Sequence, residues 1–548
     1  MPISAQHPIA YFCAEFGLES RLPIYAGGLG ILAGDNLKAA ADAKLPMVGV
    51  GLLYRGEKAI QHITPEGMQE EWDMKFDPYS SGLEHVYVDD MPLFIKVHLS
   101  EIDIWVRCWK KQIGETVTLY LLDTDTDQNE LSERGITHEL YGGSQDVVVK
   151  QQMILGIGGV KLLHALDIHP SLYHLNEGRP AFLHWQLLRE YTGDHGLSFV
   201  EAKKVARAKT VYTNHTLLAA GNQSYSLDIL KAYGRYYADK IGCSIDMLLQ
   251  DGIEAGKDGF NVTRFALNVS SKASAVSQPH FHLSQQQWPE YDWVGVTNGV
   301  HIPTWQNQNI APNISNQGGL WRAHFANKKI LESYVKERTG FGYDPERLVI
   351  TWARRLAGYK QIGAIFQDIA RLKQIVTNAD RPVQILLAGK AHQLDSFGKE
   401  NLQRIISLLQ VELSGYALFI PNYDIDLAQH LVQGSDVWIN TPELGKEASG
   451  TSGMKAMSNG VLQCTVQDGW AAEVEWYGKG WTLDPTNVSD SFYTTLENQI
   501  IPLFYQAQAG QIESWTSMMQ ASIQESSRFS AQRMLQEYRQ YLYDPLVR

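Results

Sequence analysis

Short apolar runs alternate with segments of helical period along nearly the whole chain, and no other feature constrains its fold as strongly. A strand covered on both faces reads as an unbroken apolar run. Parallel strands need a crossover connection, usually a helix. The alternation therefore predicts an α/β protein built on parallel sheets. The opening shows it directly: HPIAYFCAEF reads as a strand, YAGGLG as a tight turn, ILAGDNLKAAADAK as a helix and MVGVGLLY as the next strand. Further on, QQMILGIGGVKLLHAL has helical period, and SLYHLNEG, KTVYTNHT and WVGVTNGVH read as strands running into polar loops.

A second series follows in RLVITWARR, PVQILLAGKAH, YALFIPNY, DVWINTP and VLQCTV, as in a second doubly wound sheet. Between about residues 305 and 330 the chain turns rich in Asn, Gln and Gly (WQNQNIAPNISNQGGLW), which predicts a linker or domain edge. A chain of 548 residues exceeds what one hydrophobic core holds. The expected division is 1–315, 316–525 and a C-terminal helix over 526–548 that packs back on the first domain. Ser530 is placed to cap that helix, with Met534, Leu535, Tyr538, Tyr541 and Leu542 on one face.

Net charge narrows the partners. Lys+Arg 47 against Asp+Glu 60 gives −13, which argues against a protein that must neutralise nucleic-acid phosphates. Cys13, Cys108, Cys243 and Cys464 lie far apart, which suits a reducing compartment better than a disulfide framework. The N-terminal residues have no basic-then-apolar leader pattern, and no apolar stretch approaches the roughly 20 residues that span a bilayer. A cytoplasmic protein without a membrane partner is expected.

Ligands of open α/β sheets sit at the carboxyl ends of strands, so the loops there matter most. RLVITWA ends in Arg354 and Arg355, with Lys360 close behind. Such a cluster alone also suits a solvated basic loop, but after a buried strand it suits an oxyanion, with phosphate the natural candidate. In EASGTSGMKAMSNG (residues 447–460), Gly450 and Gly453 permit sharp turns. Ser449, Thr451 and Ser452 add hydroxyl and N–H donors for an anion-holding nest at a helix start. Lys455 lies just inside that helix, where neighbouring positive charge disfavours its ammonium and leaves an amine able to form a Schiff base. A capped helix with an exposed lysine is the plain alternative. The bare backbone of the Gly27-Gly28-Leu29-Gly30 turn permits close approach of a phosphate or sugar. His215, Asn298, Glu177 and Glu447, at other strand ends, read as a set of partners for hydroxyl groups. The histidines of PHFH lack a matching ligand pair, so no metal is expected.

Taken together, EFGLES, IYAGGLG, YHLNEG, TNHT, TNGVHIPTW, ARRLAGYK, AGKAH, NYDIDLA and EASGTSGMKAMSNG resemble, in order, the blocks of the α-glucan phosphorylases, most closely the short bacterial and archaeal type. The resemblance implies a GT-B type glycosyltransferase fold, two Rossmann-like domains with the active site in the cleft between them. It implies reversible, retaining phosphorolysis of glycogen or maltodextrin to α-glucose 1-phosphate, with pyridoxal 5′-phosphate as cofactor. By the same resemblance Lys455 holds that cofactor, Thr451, Ser452 and Arg354 surround its phosphate, and Trp305 and Tyr423 line its pocket. Arg355, Lys360 and the Gly28–Leu29 backbone meet the substrate phosphate. The His215 carbonyl steadies the developing positive charge, and Asn298, Glu447, Ser449 and Gly450 hold the glucosyl hydroxyls. A homodimer is implied at family level only.

The chain departs from the family pattern at Arg179, where a histidine is expected, and at Ala26 and Ala357. Asp424 stands where an arginine is expected beside the cofactor phosphate, and Gln145, Val148 and Gln152 replace charged residues. Matching begins near residue 10, so no N-terminal phosphorylation control is expected. Two other readings remain at this point. One is a nucleotide-sugar glucosyltransferase of the glycogen synthase kind, which has no use for the Lys455 block. The other is a non-catalytic glucan-binding relative.

Overall fold

A computed structural model describes residues 2–218, 221–254 and 256–547. It divides into two compact units. Unit 1 comprises Met1–Glu57, Met74–Thr297 and Met534–Arg548, and unit 2 comprises Lys58–Asp73 and Asn298–Arg533.

In unit 1 the strands of the main sheet are β1 (Ile9–Cys13), β2 (Met47–Leu52), β3 (Glu84–His85), β4 (Phe94–Leu99), β5 (Ile102–Ile113), β6 (Val117–Asp123), β7 (Leu172–Asn176), β8 (Thr210–Thr213), β9 (Lys272–Ala275) and β10 (Trp293–Gly295). They form one sheet in the order β10-β9-β8-β7-β1-β2-β6-β5-β3, with β4 also beside β5. Pairing is parallel from β10 through β6 and antiparallel around β5. β1, β2 and β7 are buried along their whole length, as continuous apolar runs demand. Strand order reverses at β1, which pairs with β2 on one side and β7 on the other. Helix α1 (Gly28–Asp42) provides the crossover from β1 to β2.

In unit 2 the strands β11 (Leu348–Ala353), β12 (Val383–Ala388), β13 (Ala417–Ile420), β14 (Val437–Asn440), β15 (Leu462–Thr465) and β16 (Gly480–Thr482) form a wholly parallel sheet. Its order is β13-β12-β11-β14-β15-β16, so the reversal falls at β11. That topological switch point is where open α/β sheets bind ligands, and Arg354 follows β11 directly.

The segment read as a linker is ordered structure of unit 2. It holds a short helix at Ile302–Trp305, a 3-10 turn at Ala311–Asn313 and the start of helix α2 (Gln317–Thr339). Its asparagines satisfy backbone groups: Asn316 Oδ1 accepts the Gly319 N–H at 2.9 Å, and Asn313 Nδ2 donates to the Asn309 carbonyl at 2.8 Å. The changeover lies at Thr297/Asn298 instead of 315/316. Beyond it Val300 exchanges backbone hydrogen bonds with Phe529 and Ala531, both of unit 2. Residues 58–73, placed with the first domain by sequence, form a hairpin in unit 2. Gln61 Nε2 donates to the Gly389 carbonyl at 2.8 Å, and Glu71 pairs with Lys399 at 2.8 Å.

The final helix α3 (Ala531–Tyr538) is capped by Ser530, whose Oγ accepts the Arg533 N–H at 3.2 Å. From Met534 onward the chain belongs to unit 1, a later changeover than residue 526. Met534, Leu535, Tyr538 and Leu542 are buried, but Tyr541 is 41% exposed and Tyr543 is buried in its place. A π turn over Arg539–Tyr543 shifts the helical register and explains the exchange. The Tyr543 hydroxyl lies 2.7 Å from His174 Nδ1 inside unit 1.

Candidate active site

Unit 2 gathers the cations and the Lys455 block around the ends of β11 and β14. Arg354 is 8% exposed and donates to the Ile439 carbonyl at 3.0 Å, while its buried Nε has no partner among the described residues. A Cβ at Gly389 would lie 2.1 Å from the Arg354 carbonyl oxygen, so only glycine lets the β12 loop pass so close. Arg355 is exposed and Lys360 is buried in the 3-10 turn Gly358–Lys360. Lys360 Nζ is paired with Glu447. The Glu447 N–H in turn donates to Asp468 Oδ2 at 2.9 Å.

Gly450 adopts φ +77, and Thr451 precedes the short helix Ser452–Ser458. The Ser449 carbonyl accepts the Trp470 N–H at 3.0 Å, and the Trp438 indole N–H points to Ser452 Oγ at 3.3 Å. Gly469 (φ +55) is required beside them, because a Cβ there would lie 2.3 Å from the Ser449 oxygen. Lys455 is 7% exposed, and its Nζ sits 3.9 Å from the centre of the Trp305 ring. Trp305 is itself held by donors to its carbonyl, Asn459 Nδ2 at 3.0 Å and Gln433 Nε2 at 3.2 Å. Burial raises the Tyr423 phenol well above its ordinary value, an effect that the Arg354 guanidinium opposes, so the two lie in one electrostatic neighbourhood. Asn298 Oδ1 is buried without a partner among the described residues, and its carbonyl accepts from Arg533 Nη2 at 3.0 Å.

Asp424 is not a source of repulsion. It pairs with Arg338 Nη2 at 2.8 Å and caps the helix Ile425–Gly434 through the Leu427 N–H at 2.8 Å. Ala357 takes an extended conformation before the Lys360 turn.

In unit 1, Gly28 and Leu29 open α1. The N–H groups of Ala26 and Gly27 just before them donate to Glu15 Oε2 at 2.7 and 3.1 Å. A Cβ at Gly28 would meet nothing, whereas one at Gly30 would strike Glu15 and Tyr25 at 2.7 Å. Packing within unit 1 thus requires glycine at Gly30, while Gly28 faces open space. His215 follows β8; its ring Nε2 lies 2.6 Å from Asn176 Oδ1. Burial pushes its imidazole down to about 3, so the ring is neutral. Arg179 lies over the Tyr141 ring at 4.4 Å. Gln152 Nε2 donates to the Tyr225 hydroxyl, and Gln145 Oε1 accepts the Ser226 N–H at 3.0 Å.

A model of the carbohydrate phosphorylase family matches residues 308–478. The maltodextrin phosphorylase of Thermococcus litoralis is 36% identical across 97% of this chain and 70% of its own. The chain belongs to the carbohydrate phosphorylase family. Glycogen phosphorylases of Aquifex aeolicus and Mycobacterium bovis are 33% and 32% identical, covering 99% and 98% of this chain and 87% and 71% of theirs. The wholly parallel sheet of unit 2 and the mainly parallel sheet of unit 1 agree with the GT-B type fold of this phosphorylase family.

Within this family member the sequence reading missed Asp468, Trp470, Gly469 and Gly389, which hold Glu447, Ser449 and Arg354 in place. Asp468-Gly469-Trp470 follows β15, so its place in a loop after a strand was the available signal.

Proposed function

We propose that this chain is an α-glucan phosphorylase, converting an α-1,4-glucan and inorganic phosphate reversibly to α-glucose 1-phosphate with retention, and that it carries pyridoxal 5′-phosphate on Lys455. The observation that carries the reading is the nearly buried Lys455 amine over the Trp305 ring, in a family whose blocks the chain preserves. The residues present fit that cofactor. Trp305 offers an aromatic wall beside an amine, and the unpartnered Arg354 Nε is a buried cationic donor suited to a phosphate oxygen. Thr451, Ser452 and Tyr423 complete the proposed holding set. When bound, the cofactor supplies a phosphate able to exchange a proton with the substrate phosphate.

The chain's own groups do the rest. Arg355 and Lys360 neutralise the incoming phosphate, and phosphate competes with Glu447 for the Lys360 ammonium. The N–H groups of Gly28 and Leu29 join them at the substrate phosphate, and on the glucosyl side the proposed groups are Asn298, Glu447, Ser449, Gly450 and the His215 carbonyl. The last lies beside a neutral ring that adds no opposing charge.

Borohydride reduction followed by peptide mapping tests the assignment: pyridoxyl is expected on Lys455. An unmodified lysine after reconstitution favours the nucleotide-sugar transferase. Labelled lysine without glucose 1-phosphate from maltooligosaccharide and phosphate favours a non-catalytic relative.

A further inference from the structure

Unit 1 places one carboxylate where the reading above gives it no task. Glu177 follows β7 at φ +75, a left-handed conformation that favours glycine, and such strain concentrates at functional sites. Its Oε1 accepts the His215 backbone N–H at 2.6 Å, and its Oε2 faces the Gly178 N–H at 3.3 Å and the Tyr212 hydroxyl at 3.4 Å. Its own N–H donates to the Thr213 carbonyl at 3.0 Å, which ties the Glu177 turn to the end of β8. Asn176 Oδ1, one residue earlier, takes the His215 ring at 2.6 Å. An amide oxygen only accepts, so the ring carries its proton on Nε2. Consecutive residues 176 and 177 therefore fix both the ring and the main chain of His215.

We propose that Glu177 is a positioning residue for the glucosyl site, holding the His215 main chain through a charge-assisted hydrogen bond that protonation weakens. The inference rests on the role given to the His215 carbonyl above. An ionised acceptor makes a hydrogen bond roughly twice as strong as a neutral one. Burial pushes the Glu177 carboxyl up to about 7, against the pull of the His215 and Gly178 N–H groups, the Tyr212 hydroxyl and the Arg179 guanidinium. The other groups facing it hold one state near neutrality. Burial keeps the Tyr212 phenol and the Cys13 thiol protonated, with the thiol at about 12, and the His215 ring is neutral. Glu177 is thus the member of this group that changes charge in the working range.

The test compares holoenzyme with its Glu177→Gln variant from pH 5.5 to 8.5, using a maltooligosaccharide and inorganic phosphate. Gln keeps an oxygen for the His215 N–H and cannot ionise. The expected result is a kcat lower by about tenfold at pH 8 and an acid limb shallower than in the wild type. Substrate phosphate also titrates in this range, equally in both proteins, so the difference between the profiles is the readout. A second measurement is independent of turnover. A carboxyl whose folded value is raised stabilises the native state fully below its ordinary 4.5, and that contribution is lost as pH rises through about 7. The fall in Tm of the wild type over this interval should flatten in Glu177→Gln. Identical pH profiles and identical Tm slopes in the two proteins overturn the proposal. A wild type that forms no glucose 1-phosphate at any pH refutes the functional reading instead, and the Tm slope then decides alone whether Glu177 ionises in this range, the premise on which its pH-dependent hold on His215 stands.

Discussion

Replacing Lys328 by methionine should destabilise unit 2 sharply while sparing its ligand groups. Lys328 and Asp436 are each 1% exposed. Lys328 Nζ donates to Asp436 Oδ2 at 2.6 Å and to the Arg347 carbonyl at 2.8 Å. Asp436 also accepts from His324 Nε2 at 2.8 Å and from the Val349 N–H at 2.7 Å. Burial raises the Asp436 carboxyl, but Lys328 and His324 more than offset this and hold it below its ordinary 3.8. Removing one partner of a buried pair costs about 3–5 kcal/mol, since the remaining charge is left uncompensated. Two donors to Asp436 survive, so the lower end, about 3 kcal/mol, is expected. For a unit of this size that is a Tm fall of roughly 6–12 °C by calorimetry. The Lys328→Met, Asp436→Asn double variant removes the stranded charge and should recover part of the loss. Asp436 sits at the starts of β11 and β14, opposite the ends that carry Arg354 and Arg355, so the KM for phosphate should not move. The Asp436 contribution is present above pH 3.8 and is lost as pH falls through the lower folded value, so wild type and variant should converge in acid. A loss under about 1 kcal/mol, or a double variant less stable than the single, would refute the reasoning.

Trp305→Ala removes the ring beneath Lys455 and should cost about 3–5 kcal/mol, together with most of the retained cofactor, followed by absorbance after gel filtration. Arg355 is exposed, so Arg355→Ala should leave Tm unchanged while weakening phosphate use by roughly 2–3 kcal/mol, read as the phosphate KM; an unchanged KM contradicts its assignment. Tyr543→Phe leaves His174 Nδ1 without its 2.7 Å partner and should cost about 1–3 kcal/mol in denaturant unfolding of unit 1; no change in the midpoint would mean that this buried contact contributes nothing net.

Every strand singled out in the sequence forms, from Ile9–Cys13 to Leu462–Thr465, because an apolar run flanked by polar loops records burial on both faces locally. Arg354, Arg355 and Lys455 were legible for the same reason: each lies in or just after a loop that follows a strand. The pairing of Lys360 with Glu447 was not, nor the stacking of Lys455 on Trp305, since those partners come from separate stretches of chain brought together by packing. Asp424 illustrates the gap. By sequence it is a misplaced negative charge, and in the structure it is a helix cap neutralised by Arg338 of α2.

Composition and periodicity alone determined a two-sheet α/β chain with cations at the strand ends, because side-chain polarity against backbone period is a local quantity. Tertiary structure decided that residues 58–73 serve unit 2, that Tyr543 and not Tyr541 faces the core, and that Glu447 is the carboxylate paired with Lys360. Those outcomes depend on which strands become neighbours and where a helix slips register, and hydrogen bonds between residues hundreds of positions apart leave no periodic trace in the chain that makes them.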